Sequence, residues 1–352
     1  MSAGSDSHVI EASIDGGTPV SAEITGHRFV TWPFEPLRSG AHVTWRVRRA
    51  VADGAWSQPA VFEAGLLDAD WTAEWISPVE AADPGYGERP AHVLAATFAL
   101  PAGIVSARLY ATALGVYTAT VNGSRVGRDE LAPGSTSYDR TLYAQAHDVT
   151  ALLEAGANRL EIELSDGWYR GQVGAFRLPA GWGTTLGVRA ELHVRLADGA
   201  TQVIVTDGSW TSAPSTTTRA DLMAGQTVDF TVVPGAPTPV RVGAVVDAPA
   251  ISWSPAPPVR VLESRGPVAV TPVAEGVTVF DFGQNASGWV RLTDLGTPGT
   301  RTVIEYGEYV DASGDLSTAH LDSERPEGRK AFVQRDRVVA GGNVAVHQHC
   351  RI

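Results

Sequence analysis

The chain has 352 residues, of which 43% are hydrophobic and 19% charged, a composition typical of a globular protein with roughly two to four domains. The net charge is −12, from 27 Lys and Arg against 39 Asp and Glu, and no basic cluster offsets it, which excludes binding to a nucleic-acid backbone from the expected functions. The single cysteine, Cys350, excludes an internal disulfide framework and a cysteine-based zinc site.

The sequence shows neither a secretory leader nor a membrane span. The first ten residues, MSAGSDSHVI, lack the basic and apolar regions of a signal peptide. No apolar run approaches the ~20 residues that a transmembrane helix needs. We therefore expect a soluble, cytoplasmic protein that has no nucleic-acid partner and no membrane partner.

Strand patterns dominate the chain. Residues 41–51, AHVTWRVRRAV, alternate apolar and polar side chains, which predicts a half-buried strand. Residues 107–127 contain two such runs around Asn122-Gly123, a strong hairpin signal, and residues 189–212 repeat the pattern around Asp198-Gly199. The main helical signal is one or two turns in DVTALLEAGANR, residues 148–159. The chain is therefore predicted to be all-β and to form sandwiches.

Two connectors rich in proline divide the chain into three predicted domains. The first connector is AADPGYGERP, residues 81–90, and the second contains PGAPTPV and DAPAISWSPAPPVRV, between residues 234 and 261. The predicted domains are residues 1–78, 91–240 and 255–340. Residues 341–352 lose the alternation and are interpreted as a degenerate or truncated tail.

Ordered motifs along most of the chain resemble the bacterial α-L-rhamnosidases of glycoside hydrolase family 78. Residues 107–174 contain Leu-Gly-x-Tyr, Asn-Gly, Leu-Ala-Pro-Gly, Tyr-Asp-Arg and Asp-Gly-Trp-Tyr-Arg-Gly in the order found in the family. TDGSWTS, ADLMAGQTVDF and FDFGQNASGWVRLTDLG continue the resemblance, which extends to about residue 337. It implies three consecutive β-sandwich or jelly-roll domains: a shortened fibronectin-III/Ig-like domain, a galactose-binding-like jelly roll and a concanavalin-like sandwich.

The resemblance also implies a function. Members of the family hydrolyse terminal α-L-rhamnose with inversion in an (α/α)6 barrel that follows these sandwiches, and this chain has no long helical periodicity. We therefore expect no catalytic residue here. The chain would be the non-catalytic N-terminal part of an α-L-rhamnosidase-like hydrolase, inactive alone, with the absent barrel and a rhamnose-containing glycan as its partners. The alternatives are a stand-alone carbohydrate-binding protein and an inactive gene fragment.

Several acidic residues could pair for hydrolysis, which needs two carboxylates about 5 Å or about 6.5–9.5 Å apart. Turn positions and solvent-facing strand positions account for them more simply, because acids are common at both. The residues are Asp129, Glu130, Asp139, Asp166, Asp281, Glu305 and Glu308. His347 and His349 would face the same way on a strand, but two imidazoles alone make an incomplete metal site.

The glycine-rich residues 165–184 form the region best suited to binding a sugar. Trp168 and Tyr169 could stack on a sugar ring while Asp166 binds its hydroxyls, and a hairpin corner with core aromatics is the alternative. Some members of the family carry a rhamnose-binding module with calcium. By that resemblance Asp139 and Arg140 are the first candidate sugar ligands, followed by Asn122 and the loop of Asp166. Calcium would suit hard oxygen ligands, but the sequence defines no complete ligand set.

Overall fold

The computed structural model describes residues 7–67, 71–80, 83, 85–174, 177–179, 181–243, 245, 248–255, 257–317 and 334–342. Within these ranges the chain divides after Thr72 into two compact units. Most of the predicted tail, with His347 and His349, lies outside the described residues.

The first unit contains a sheet of four antiparallel strands. In chain order they are β1 Ser7–Ile14, β2 Val20–Thr25, β3 His42–Arg49 and β4 Ala60–Glu63, arranged as β2-β1-β3-β4. Ile10 lies opposite Val47, so the apolar positions predicted for residues 41–51 share a face with those of β1. On the other face Arg46 donates a 2.7 Å hydrogen bond to Glu11 and stacks over Trp56.

The second unit begins at Ala73 and is also built of strands. The first of them are β5 Ile76–Ser77, β6 His92–Leu100, β7 Ile104–Leu114, β8 Val116–Val121, β9 Ser124–Arg125, β10 Thr141–Asp148, β11 Gly156–Ser165, β12 Gln172–Val173, β13 Leu178–Pro179, β14 Gly187–Leu196 and β15 Thr201–Val205. They are followed by β16 Thr211–Pro214, β17 Thr217–Asp221, β18 Gly225–Asp229, β19 Thr238–Pro239, β20 Arg241–Val242 and β21 Ala250–Trp253. The remaining strands are β22 Ala269–Ala274, β23 Val277–Asp281, β24 Arg301–Tyr306, β25 Tyr309–Val310, β26 Leu316–Ser317 and β27 Gln334–Val339.

Two large sheets form a sandwich at the centre of this unit. One runs β20-β5-β14-β7-β10-β21 with β15 added on β14, and the other runs β19-β16-β6-β11-β8-β9. Side chains from both sheets form one apolar core, in which Leu109, Ile162, Leu192 and Trp210 are almost completely buried. Burial of this kind stabilises the fold by about 1.5–3 kcal/mol for each large apolar side chain.

Local sequence signals account for the connections inside the sandwich. Asn122 and Gly123 join β8 to β9 with φ values of 50° and 77°, the backbone conformation that a two-residue hairpin turn requires. The helical signal at residues 148–159 yields only a 3-10 turn at Thr150–Leu152, because β11 already begins at Gly156. The described residues contain one short α-helix, α1, at Gly167–Arg170.

The region predicted as a third domain shares a sheet with the strands before it. The order is β17-β18-β27-β24, in which β27 is parallel to β18 and antiparallel to β24. Leu295, Val338 and Ala340 form a small core beside this sheet. The hairpins β22–β23 and β25–β26 each remain two-stranded in the described part of the chain.

The all-β prediction is confirmed. The regular structure consists of strands with only short helical turns, and no helical barrel occurs in the ranges that the structure describes. Within the same ranges, no helix combines the length and the hydropathy of a membrane span.

Candidate functional site

Aromatic side chains from three loops meet at one end of the sandwich. The ring of Tyr138 lies 5.3 Å from that of Tyr169 and 5.7 Å from that of Trp182, in tilted or edge-to-face geometry. Trp168 packs beneath them in a cluster around Leu114. We call Tyr138, Tyr169 and Trp182 the aromatic surface. Trp182 is 44% exposed, so part of this surface is open to a ligand.

The turn that contains Tyr138 continues with two charged residues. The Tyr138 hydroxyl donates a 3.0 Å hydrogen bond to the carbonyl of Gly134, which fixes the ring. Asp139 and Arg140 follow it, with side chains 61% and 84% exposed and charged atoms 3.8 Å apart. An ion pair with such exposed side chains and such a long N–O distance contributes little to stability. Both charged groups are therefore available to solutes.

Both tyrosines of the aromatic surface are protonated at neutral pH. Burial raises the pKa of Tyr138, and the neighbouring Tyr169 raises it further. Burial likewise raises the pKa of Tyr169, although the charge of Arg170 partly opposes the shift. Both hydroxyls therefore act as neutral hydrogen-bond donors and acceptors, not as bases.

Asp166 lies beneath this surface in a buried ion network. Its side chain is 1% exposed, and its Oδ1 accepts a 2.7 Å hydrogen bond from Arg170 Nε. Its Oδ2 accepts a 3.0 Å hydrogen bond from Arg89. Both carboxylate oxygens are thus bonded to guanidinium groups, which gives Asp166 a structural role.

The network continues into the segment that precedes β6. Burial by itself would raise the pKa of Glu80, but the imidazole of His92, 3.4 Å away, and the hydrogen bonds from Arg170 outweigh it and lower the pKa to about 2. Hydrogen bonds from the Arg89 guanidinium hold the pKa of Asp83 well below its ordinary range, and the hydrogen bond from the backbone N–H of Gly85 lowers it further. Both carboxylates are therefore ionised at neutral pH and bonded to arginine.

The remaining predicted sugar ligand, Asn122, lies away from the aromatic surface. It follows β8, whereas Gly167 packs against Val116 at the start of that six-residue strand, so the two sites are roughly 20 Å apart. The Asn122 side-chain amide donates to the carbonyl of Leu152 and to Asn158, and its carbonyl accepts the N–H of Arg159. These bonds brace the hairpin turn.

Three of the other predicted acids have partners within the fold. The Asp281 carboxylate caps its turn at the N–H of Gly283, and Glu305 is paired with Arg335 across β24 and β27. Glu130 is bonded to Arg125 at 2.9 Å. No three His, Cys, Asp or Glu side chains come together as a metal-binding group in the described ranges, and calcium binding stays a prediction.

Asp139 and Arg140 follow Tyr138, whose ring packs against that of Tyr169, and Trp168 belongs to the same cluster. Asp166 is buried in the ion network, and Asn122 lies elsewhere. Sugar binding by these residues stays a prediction. Sequence reasoning missed the roles of Tyr138 and of the ion partners Glu80, Arg89 and Arg170. Tyr138 could have been found from its position beside the Asp139-Arg140 pair. The ion partners carried no signal, because they are separated in sequence by up to 90 residues.

Three family models match successive parts of the chain. They are the Rha78A-like N-terminal immunoglobulin domain over residues 16–68, the alpha-L-rhamnosidase N-terminal domain over residues 102–240, and the bacterial alpha-L-rhamnosidase concanavalin-like domain over residues 271–349. The aromatic surface and the ion partners Asp166 and Arg170 fall inside the second match.

The curated relatives are longer than this chain. An α-L-rhamnosidase of Streptomyces avermitilis is 36% identical over 299 residues, which cover 77% of this chain and 27% of that protein. An α-L-rhamnosidase of Alteromonas sp. is 28% identical over 319 residues, which cover 84% of this chain and 34% of that protein. The chain thus spans 27% and 34% of the lengths of these two relatives.

Solved structures share the fold over nearly the whole chain. The α-L-rhamnosidase of Aspergillus terreus superposes with a TM-score of 0.84 at 28% identity, covering 99% of this chain and 41% of that one. The Streptomyces avermitilis enzyme, crystallised with L-rhamnose, gives a TM-score of 0.82 at 23% identity, covering 99% of this chain and 52% of that one. The second likeness shows the fold alone.

Proposed function

Because the chain belongs to the bacterial α-L-rhamnosidase family, whose N-terminal β-sandwich domains it contains, we propose that it is the non-catalytic N-terminal part of an α-L-rhamnosidase-like glycoside hydrolase. Its role is to support a helical catalytic domain that releases terminal α-L-rhamnose. The observation that carries this proposal is an apolar sheet face on β22–β23.

That face consists of four large side chains on one side of the hairpin. Val270 lies opposite Phe280, and Val268 and Phe282 continue the same side of the two strands. Their exposed fractions are 54%, 55%, 70% and 38% in that order. A two-stranded hairpin with an uncovered apolar face is marginally stable in water, so a partner surface is expected to cover it.

The occupant that we propose is the catalytic portion of the same enzyme. The family models place the hairpin at the start of the concanavalin-like domain, and relatives of this chain extend well beyond the part that it matches. An obligate interface inside one protein is rich in apolar side chains, as this face is, whereas a face kept in water carries charges.

Mixing this chain with the separately produced catalytic portion of a family member tests the proposal. A one-to-one complex is expected by analytical ultracentrifugation, and the double variant Val270→Thr, Phe280→Ser should weaken it at least tenfold. Thr271→Ser, on the opposite side of β22, is the matched control and should bind as the unmodified chain does. If the double variant bound the catalytic portion as tightly as the unmodified chain does, this apolar face would not be part of the interface.

The aromatic surface supports a second function, carbohydrate binding. The exposed ring of Trp182 is suited to stack on the apolar face of a sugar, and the exposed Asp139 and Arg140 are suited to bind sugar hydroxyls. L-Rhamnose is the first sugar to test, given the family and the complex solved for the Streptomyces avermitilis enzyme.

Calorimetric titration with L-rhamnose, with and without a chelator, tests this function. Trp182→Ala and Asp139→Ala should each weaken binding about tenfold, since a lost stacking or hydrogen-bonding partner costs about 1–1.5 kcal/mol. Asn122→Gly should leave binding unchanged if the aromatic surface is the site. Equal affinity for all three variants and the unmodified chain would contradict the assignment.

A further inference from the structure

The side chain of Arg170 joins its own segment to Glu80, which is 90 residues away, and to the loop of Thr184. Its Nη1 and Nη2 donate to the two oxygens of Glu80 at 2.7 and 2.8 Å. Nε and Nη2 reach Asp166 Oδ1, both at 2.7 Å, and Nη1 also donates to the carbonyl of Thr184 at 3.1 Å. Nε, Nη1 and Nη2 of the guanidinium are thus all engaged by partners within the fold.

The Thr184 bond connects this group to the aromatic surface. Thr184 follows Trp182 by two residues, and the ring of Tyr169 packs so closely on the intervening Gly183 that a Cβ there would collide with its hydroxyl. The backbone of residues 182–184 is therefore held on one side by Arg170 and on the other by Tyr169. Tyr169 in turn sits next to Arg170 on α1.

Arg89 supports the arrangement from the far side of Asp166. Its Nε and Nη2 donate to Asp83 at 2.7 and 2.8 Å, and its Nη1 donates to Asp166 Oδ2 at 3.0 Å. The side chains of Arg89 and Arg170 are 7% and 4% exposed, so water competes weakly for these bonds. The carboxylate between them cannot turn without leaving a buried charge unpaired.

We propose that Arg170 is a positioning residue, which holds Trp182 against Tyr138 and Tyr169 through its simultaneous bonds to Glu80, Asp166 and Thr184. The aromatic surface then has one conformation before any ligand arrives, which lowers the entropy cost of binding. Lysine cannot replace this arginine, because its three donors radiate from one atom and cannot span the same partners. The use of this surface for sugars rests on the proposed carbohydrate binding, whereas the positioning itself does not.

The positioning role of Arg170 can be tested by observing the Trp182 side chain directly with ¹⁹F NMR. The chain is labelled with 5-fluorotryptophan, and ¹⁹F NMR resonances of Trp168 and Trp182 are assigned with the variants Trp168→Phe and Trp182→Phe. Arg170→Lys should shift or broaden the Trp182 resonance while the tryptophans of the first unit keep their positions. Arg159→Gln, which removes an exposed ion pair with Glu161 on β11, is the control and should leave Trp182 unchanged.

Glu80→Gln covers the case in which Arg170→Lys does not fold. Glutamine has nearly the size of glutamate, and the substitution removes one of the two carboxylate partners of Arg170 while Asp166 remains. The Trp182 resonance should therefore change in the same direction as in Arg170→Lys, but by less. A lower melting temperature with an unmoved Trp182 resonance in either folded variant overturns the positioning role. If Trp182 moves as expected but L-rhamnose does not bind the unmodified chain, the carbohydrate proposal fails and the positioning inference stands.

Discussion

Asp166 is a buried carboxylate whose partners in the structure are two arginine side chains. Its two oxygens are bonded to Arg89 and Arg170, and its side chain is almost completely buried. The motif Asp-Gly-Trp-Tyr-Arg therefore keeps its acid and its arginine buried, while its two aromatic side chains are partly buried against the cluster of Leu114, Tyr138 and Leu142.

Asp166→Asn should lower the free energy of unfolding by about 3 kcal/mol, because it leaves two buried guanidinium groups short of a charged partner. Urea denaturation followed by circular dichroism measures the change. Asp139→Asn, on the exposed turn, is the comparison and should change stability by less than about 0.5 kcal/mol. If both variants lost a similar free energy of unfolding, the buried ion network would not stabilise the fold more than an exposed ion pair does.

Glu80 should make stability depend on pH in the acid range. Its pKa in the folded chain, about 2, lies below the ordinary value of 4.5, so its stabilising contribution is complete above about pH 4.5 and is lost as the pH falls towards 2. The free energy of unfolding of Glu80→Gln should therefore fall less steeply between these pH values than that of the unmodified chain. Parallel curves would argue against the Glu80–Arg170 ion pair.

Hairpin turns are the elements that the sequence predicts best, because two residues decide their geometry. Asn122-Gly123 supplies two positive φ angles, and the structure places both at the turn between β8 and β9. The parallel pairing of β18 with β27 had no such signal. Its partners, Thr227 and Arg337, are more than a hundred residues apart, and only the folded chain brings them together.

Asn122→Ala should cost about 1–3 kcal/mol of stability, since it puts a Cβ-bearing residue without local hydrogen bonds in the left-handed region and removes three side-chain bonds. Asn122→Gly separates the two causes, because glycine tolerates the backbone angle and loses only the bonds. Thermal unfolding of the two variants should rank alanine below glycine. The reverse order would contradict the role of the backbone angle.

At the scale of the whole molecule, the sequence predicted the class of fold and the family, because strand alternation and ordered motifs are distributed along the chain. The candidate site was predicted only in part. Asp139, Arg140, Trp168 and Tyr169 are predicted site residues. The contact between their two segments depends on the packing of Tyr138 against Tyr169, which no local pattern encodes. The acids considered for hydrolysis illustrate the same limit, since Asp166, Asp281 and Glu305 acquire structural partners only in the fold.

In the described residues Asp166, Asp281 and Glu305 have structural partners. We propose that bond cleavage belongs to a part of the enzyme beyond the region of the relatives that this chain matches. The most direct test is hydrolysis of p-nitrophenyl α-L-rhamnopyranoside by the purified chain. The account predicts no release of p-nitrophenol above the buffer rate between pH 4 and pH 8. Sustained turnover that co-purifies with the chain and persists across independent preparations would place a catalytic site within these sandwiches and contradict the account.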